Sequence, residues 1–438
     1  MVVDAPPMNV LLLGATGFIG TAVLRHLLDA GHAVTAVGRG LDAARRQWPE
    51  VSWRQADIAT LATPAAWDPL LTGIDAVVNC AGALQDGARD DVAAVQSTAP
   101  RALFAACAAR GIGRIVQVSA VGAGTAAPTR FMRTKGEADA ALAELTGGWV
   151  IFRPGLVIGP QAYGGTALLR AIAATPFVIP VVRGDAVLQT VHVDDVARAV
   201  LDAVEGRVPP RAAYDLVEEE SRRLDDVLRA LRAWLGLPEA RVLCVPEWMA
   251  RPAFLLGDAL GRLGWRSPLR SAAWAEIGRG VTGDPATWNA VTGRPVRELH
   301  ATLRAIPVTV QERWFARMWP MKAVAIGTLS AFWLASGVIG AFRFEAAMAV
   351  LTTRGMAGWV AAIAVAMGSL IDIALGAGIL VRRWMRAAAL GMVAVTLGYL
   401  AGASLFAPDL WLDPLGPMVK TIPAAVLALV VLAVAEER

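Results

Sequence analysis

Several residue types are scarce in this chain of 438 residues, and each scarcity closes off a class of chemistry. The three cysteines, Cys80, Cys107 and Cys244, are widely spaced with no Cys-x-x-Cys pair, which argues against a disulfide framework and against a zinc site. The four histidines are scattered as well, so no metal is expected. Charged residues make up only 18%, against 56% hydrophobic, and the mean hydropathy is +0.50; a membrane protein fits this balance better than a soluble one. A net charge of +4 would suit nucleic acid, but no basic stripe interleaved with aromatics accompanies it, so no nucleic-acid partner is expected and arginine beside a membrane surface explains the charge better. Tyrosine occurs only as Tyr163, Tyr214 and Tyr399, which limits proton donors of that type. The lead from Met1 to Met8 is polar and carries prolines, without an apolar core of signal-peptide length, so the domain that follows is expected to stay in the cytoplasm.

What is present begins with Asn9-Val-Leu-Leu-Leu-Gly14-Ala-Thr-Gly17-Phe-Ile-Gly20, an apolar strand running into three glycines and then a helix. Gly14 allows a tight turn, Gly17 lets the backbone approach a phosphate where a Cβ would intervene, and Gly20 lets helix and strand pack closely. The helix, from Thr21 to Ala30, offers unpaired N–H groups and the positive end of its dipole to an anion. A second strand, from His32 to Val37, closes a βαβ unit at Gly38 and Arg39, close to where a ribose-reading residue is expected, about 20 residues past the glycines. An arginine suits a 2′-phosphate, whereas an acidic residue would suit a free hydroxyl, so the expected cofactor is NADP, with NAD as the alternative. Further along come Asp57, a strand from Ala76 ending at Asn79-Cys80-Ala81-Gly82, and a helix from about Val92 to Arg110. A strand from Arg114 to Ser119, a helix from Thr134 to Leu145 and a strand from Trp149 to Arg153 complete the series, which predicts an α/β fold with a doubly wound parallel sheet.

These landmarks, with Phe-Arg-Pro-Gly-Leu-Val-Ile-Gly-Pro from Phe152 and Val-His-Val-Asp-Asp from Val191, resemble the extended and atypical short-chain dehydrogenases/reductases over residues 8 to 310. The resemblance implies that Gly14, Gly17 and Gly20 lie under the pyrophosphate, with Thr16, Phe18, Ile19 and Arg39 among the cofactor contacts. It further implies that Asp57 faces the adenine, that Asn79, Ala81 and Gly82 line the cofactor, and that Lys135 holds the nicotinamide ribose, with Ser119 beside it. Pro154 and Gly155 would begin the loop next to the nicotinamide. Residues from about 205 to 310 resemble the small substrate-side lobe of extended members, with helical runs from Leu224 to Leu235 and from Trp248 to Leu263.

One position departs from the pattern. Active members carry a tyrosine four residues before the lysine as proton donor and acceptor; here the string is Phe131-Met-Arg-Thr-Lys135. Phenylalanine has no titratable proton, so an acid–base step that contributes about 10²–10⁴ in rate is missing at that position. Ser119 and Lys135 remain as catalytic candidates. Tyr163, in the loop Gln161-Ala-Tyr163-Gly-Gly, is the one tyrosine expected near the nicotinamide, either as a substitute acid or as a loop residue that packs. His192 is read as part of a structural corner at which Asp194 or Asp195 caps the following helix.

After Trp314 and Trp319 the composition changes. Four apolar stretches, about 321–341, 356–381, 387–407 and 418–435, each have roughly the 20 residues that cross a ~30 Å hydrocarbon core, the last being the shortest. Residues 1–312 and 313–438 are therefore expected to form a Rossmann domain and an all-α domain of four transmembrane helices, the latter resembling the DoxX-like membrane family in span count and spacing. Arg313, Arg317 and Lys322 precede the first span, Arg382, Arg383 and Arg386 fill the second loop, and Asp409 and Asp413 lie in the third. The positive-inside rule then gives a multi-pass protein of the inner membrane with both termini cytoplasmic. Asp372 falls near mid-bilayer, where an ionised carboxylate costs several kcal/mol unless paired or hydrated. It reads either as a proton or quinone-headgroup contact or as a hydrogen-bonded structural carboxyl.

The expected function is a membrane-anchored NAD(P)-binding oxidoreductase whose partners are the dinucleotide, membrane lipid and an apolar substrate, a quinone or a lipid. The alternative is a non-catalytic NADP-binding module with a membrane-complex partner, similar in this respect to the dehydrogenase-like accessory subunit of respiratory complex I. Sugar-nucleotide epimerases and dehydratases also need the missing tyrosine and are disfavoured.

Overall fold

Seven parallel strands, β1 (Asn9–Leu13), β2 (Ala33–Gly38), β3 (Ser52–Gln55), β4 (Ala76–Asn79), β5 (Arg114–Val118), β6 (Gly148–Pro154) and β7 (Ala212–Leu216), form one sheet in the order β7-β6-β5-β4-β1-β2-β3. They belong to a computed structural model that describes residues 6–83, 86–87, 91–265, 267–414 and 416–435. The central strands are mostly apolar, Val10–Leu13 and Ala76–Val78 most of all, because helices cover both faces of a parallel sheet. Successive side chains alternate between those faces: Val10, Leu12, Val78, Val116 and Phe152 enter one core, and Leu11, Leu13, Val77, Ile115 and Ile151 the other. After β3 the chain returns to the far side of β1 to lay down β4, so the strand order reverses between β1 and β4. Ligand crevices of open α/β sheets form at the carboxyl ends of such a pair.

The helices differ from the sequence expectation at their starts. The glycine-loop helix is Phe18–Asp29, three residues earlier than expected, because extended Gly17 already serves as its N-cap. The helix bearing Lys135 is Arg130–Ala143, since the Thr129 hydroxyl accepts the Met132 N–H at 3.3 Å and starts it one turn early. The helix expected from about Val92 contains a π turn, Ala94–Thr98, before continuing as Ala99–Ala109.

The chain divides into two compact units, Met1–Asp258 with Ser267–Ala316, and Ala259–Arg266 with Arg317–Arg438. In the first, β7 pairs with β6 at the edge of the main sheet, so residues 212–216 belong to that sheet and not to a lobe opening at about residue 205. The satellite lobe instead draws on both sides of β7. Strand Leu156–Ile158 pairs with Thr190–His192, Val178–Val181 pairs with Arg241–Cys244, and Leu169, Ile179, Leu228, Leu231 and Leu303 pack between them. Glu218 is wholly buried and ties this lobe together, accepting from the N–H groups of Thr190 and Leu299 at 2.9 Å each.

Toward the end of the chain, Val310–Phe342, Gly358–Gly378 and Met385–Phe406 are long and apolar enough to cross a membrane, while Pro417–Ala433 is a shorter apolar helix of 17 residues. The helix Phe344–Thr352 occupies the first loop, so this region holds more helices than the four expected; the chain breaks at Arg343 and then resumes a helical turn pattern. Small residues bring the spans together: a Cβ on Gly376 would stand 2.8 Å from the Leu334 nitrogen, and one on Gly337 2.6 Å from the Ser369 carbonyl. Asp372 is buried between two hydroxyls, Ser336 donating to Oδ2 at 2.7 Å and Tyr399 to Oδ1 at 3.1 Å.

Candidate nucleotide site

The glycines at the end of β1 are required by close backbone approach. Gly14 adopts φ +74°, and a Cβ there would stand 2.7 Å from the Cys80 carbonyl carbon, at the tip of β4. A Cβ on Gly20 would overlap the Gly14 carbonyl oxygen. Gly17 donates to that same oxygen at 2.8 Å and starts the helix; among the described residues no side chain caps it, which leaves the first N–H groups for an anion. This bare helix start, at a turn whose close backbone packing admits no Cβ at Gly14 or Gly20, fits a dinucleotide pyrophosphate. Thr16 is exposed at its rim, while Phe18 and Ile19 form the first helical positions.

Around the cradle the other candidates fall into two groups. Arg39 directly follows β2 and is exposed, its carbonyl accepting from Gln55 at 3.3 Å. Asp57 follows β3 and caps a short 3₁₀ turn, accepting the Ala59 N–H at 3.1 Å. Asn79 is fully buried at the end of β4: its amide donates to Gln117 at 2.8 Å and its carbonyl oxygen accepts the Ala81 N–H at 3.0 Å, which fixes the Ala81-Gly82 turn. A Cβ on Gly82 would lie 3.4 Å from Gln96 Nε2 and 3.8 Å from Lys135 Nζ, so these side chains close over the turn.

The second group surrounds Lys135. Its Nζ donates to the Val118 carbonyl at 3.1 Å and lies 5.7 Å from the centroid of the Phe131 ring, so an aromatic face stands beside the ammonium without a hydroxyl. Burial pulls the Lys135 pKa down, opposed by the charges of Asp139 and of the Cys80 thiolate form. The Cys80 thiol itself is pushed up to about 12 by burial and reads as an inert packing residue. Ser119 Oγ donates to Asp139 Oδ2 at 2.8 Å, and Arg153 approaches the same oxygen at 3.4 Å. Burial raises the Asp139 pKa; the Ser119 hydrogen bond and the charges of Arg153 and Lys135 act against it.

Pro154 ends β6, and Gly155 is held against the Gln189 carbonyl, which a Cβ would approach to 2.5 Å. Tyr163 is 47% exposed and stacks on Phe18 with ring centroids 6.3 Å apart, which sets it beside the start of the glycine-loop helix. His192 itself caps the helix Val193–Val204, its Nδ1 accepting the Asp194 N–H at 3.1 Å. This corrects the expectation that Asp194 or Asp195 supplies the cap: the Asp195 carboxylate instead pairs with Arg297 at 3.1 Å, and the Asp194 carboxylate faces His26 at 3.9 Å.

Residues 14–206 match the NAD(P)H-binding family and residues 330–429 the DoxX-like family. The mitochondrial protein FMP52 of Eremothecium gossypii is 31% identical over 162 residues, covering 35% of this chain and 68% of that protein. An uncharacterized protein of Mycobacterium tuberculosis is 29% identical over 203 residues, 45% of this chain and 20% of that one. Among solved structures, the Bordetella bronchiseptica enzyme WbmH in complex with NAD+ aligns with a TM-score of 0.51 at 18% identity, over 71% of this chain and 98% of that one. The Bacillus anthracis dTDP-glucose 4,6-dehydratase in complex with NAD aligns at 0.52 with 15% identity, over 70% and 96%. At these identities the likeness is one of fold.

Proposed function

We propose, from the premise that the chain belongs to the NAD(P)H-binding family and carries a DoxX-like domain, that it is a membrane-anchored, NADP-dependent oxidoreductase of short-chain-dehydrogenase type acting on a quinone-class, membrane-borne acceptor. One observation carries the reading: Phe131 stands beside Lys135 where a proton donor would be needed, and the Ser119 hydroxyl is committed to Asp139. A bound nicotinamide supplies a hydride. Reduction of a simple ketone leaves a strongly basic alkoxide that requires a positioned acid, whereas a reduced quinone is a phenol-type anion, with a pKa near 10 for such oxygens, that solvent can protonate. The chain's own residues then hold and orient the nucleotide: the glycine cradle at the pyrophosphate, Arg39 toward the 2′-phosphate, Asp57 at the adenine side, and Lys135 at the ribose. An apolar acceptor also agrees with a chain whose second unit is made of apolar helices.

The arginines of the second loop and the aspartates of the third favour an inner-membrane placement with both termini in the cytoplasm. Arg354 of the first loop pairs with Asp409 of the third at 2.6 Å, which agrees with those two loops sharing one side. A second reading, a nucleotide-binding module without turnover inside a membrane complex, is favoured by the same commitment of Ser119 to Asp139. The deciding experiment supplies NADPH and a short-tailed quinone to the full chain in lipid nanodiscs. Quinone-dependent NADPH oxidation is expected, with none for simple ketones. Tight nucleotide binding without oxidation would leave the second reading in its place.

A further inference from the structure

Asp372 carries the only charge between Arg354 and Arg382 and sits about 9 Å of helix rise inside the end of Gly358–Gly378. Its side chain is buried, yet the two hydroxyls that reach it, Ser336 and Tyr399, belong to exposed residues, Tyr399 to 43%. Among the described residues no cation pairs with this carboxyl, and hydrocarbon strongly disfavours an uncompensated charge. A neutral carboxyl and the two hydroxyls hold three hydrogen-bonding protons, of which the contacts at 2.7 and 3.1 Å use two. One proton is left over. The neutral cluster therefore presents a donor to whatever lies beside it, whereas the ionised cluster would present none.

A groove leads to this donor. On the helix Met385–Phe406, Gly391, Gly398 and Gly402 fall within about 40° of one another at 100° per residue. A Cβ on Gly391 would stand 2.7 Å from the Leu375 side chain, so the two spans are packed there. One on Gly398 or Gly402, farther along the same face, would meet nothing within 4 Å. The spans thus part beyond Gly391 and leave an opening with a glycine floor. Tyr399 reaches across it: a Cβ on Gly368 of the facing span would lie 3.1 Å from the Tyr399 hydroxyl, which goes on to Asp372.

We propose that this opening binds the headgroup of a quinone, with the planar ring on the Gly398 and Gly402 floor and one carbonyl accepting the spare proton of the Ser336–Asp372–Tyr399 cluster. The apolar tail stays in the surrounding hydrocarbon. A lone neutral donor selects a carbonyl, whereas a phospholipid headgroup would bring charge that the cluster cannot match. The inference rests on the reading of a membrane-borne quinone acceptor; it concerns how this unit holds the headgroup and involves no electron transfer. In the test, the full chain in lipid nanodiscs, without nucleotide, is titrated with a short-tailed benzoquinone carrying ¹³C at its carbonyls and followed by infrared spectroscopy. The bound carbonyl is expected to absorb at lower frequency than the free one. Asp372→Leu should remove the lowered band and weaken binding about three- to tenfold, the worth of one hydrogen bond, while Asp372→Asn, which keeps donors, should retain the band. Gly398→Leu fills the floor without touching the cluster and should weaken binding by about tenfold or more, which keeps the site testable if Asp372→Leu does not fold. A lowered band that persists in Asp372→Leu, or binding indifferent to Gly398→Leu, overturns the site. A lowered band in a chain that oxidises no NADPH keeps the site and removes the reductase reading. Quinone-dependent NADPH oxidation without a lowered band keeps the reductase reading and removes the site.

Discussion

The Ser119 hydroxyl donates to Asp139 Oδ2 at 2.8 Å, with both side chains buried. A hydroxyl has one proton to donate, so while this bond stands Ser119 offers a ligand only its lone pairs. Asp139 lies one helical turn past Lys135, and its carboxylate also meets Arg153, so the residue joins the lysine's helix to β6. Ser119 is therefore fixed as part of the wall.

That carboxylate gives the site a pH signature. Because burial raises the Asp139 pKa in the folded protein, the fold binds this proton more tightly than the unfolded chain does. Its contribution to stability is full below the ordinary carboxylate value, near 3.9, and is lost as pH rises through the raised folded value. Thermal unfolding of the first unit, followed in the full chain in detergent, should lose stability over that window. Asp139→Asn should flatten this slope while leaving the rest of the profile in place; equal slopes for the two proteins would remove Asp139 as its source.

Arg39 should decide between the two dinucleotides. Its position directly after β2 suits a 2′-phosphate, and Arg39→Asp should shift preference toward NAD by about 1–3 kcal/mol, the size of a charge-assisted contact. Calorimetric titration of both nucleotides against both proteins measures the shift. Tighter binding of NAD by the unaltered protein would end the argument for NADP.

The sequence was informative wherever local geometry forces a residue type. Gly14 and Gly20 are glycine because the turn and the helix leave no room for a Cβ, and such constraints show as a spaced motif. The alternation of Val10, Leu11, Leu12 and Leu13 between two cores is likewise local. Asp139 was overlooked although its spacing of four from Lys135 puts both on one helical face; the partners that give it meaning, Ser119 and Arg153, come from two other strands. The π turn at Ala94–Thr98, which turns Gln96 inward toward Gly82, has no periodic signature at all. The edge position of β7 depends on pairing with β6, a distant partner, and leaves no mark in residues 212–216 themselves.

Topology gives a prediction independent of the nucleotide. The Arg354–Asp409 pair joins the first and third loops of the second unit. Reporter fusions placed after Arg386 should therefore read cytoplasmic, and fusions placed after Asp413 should read the opposite side. A cytoplasmic signal from the Asp413 fusion would rule out the proposed four-span arrangement, in which the short helix Pro417–Ala433 must complete the last crossing.

Phe131 separates the two functional readings most sharply. Its ring stands beside the Lys135 ammonium, 5.7 Å from centroid to Nζ, so Phe131→Tyr adds a hydroxyl to an aromatic already in place. The neighbouring positive charge should lower the phenol pKa and assist proton transfer. If the site is an oxidoreductase short of an acid, this change should raise NADPH-dependent turnover of simple ketones by about 10²-fold or more, the usual worth of a positioned acid, while quinone reduction stays nearly constant. Tyr163 is the competing donor. It stacks on Phe18 at 47% exposure, so Tyr163→Phe should leave quinone turnover within about twofold if solvent supplies the proton, and should lower it by about 10²-fold if this phenol does. Nucleotide binding should survive both substitutions, since neither removes a backbone N–H of the glycine loop and Tyr163→Phe keeps an aromatic ring against Phe18. A protein that binds NADPH tightly, yet gains no ketone turnover from Phe131→Tyr and shows no quinone turnover before it, is a binding module, and the search for a substrate should then give way to a search for the membrane partner that its nucleotide occupancy controls.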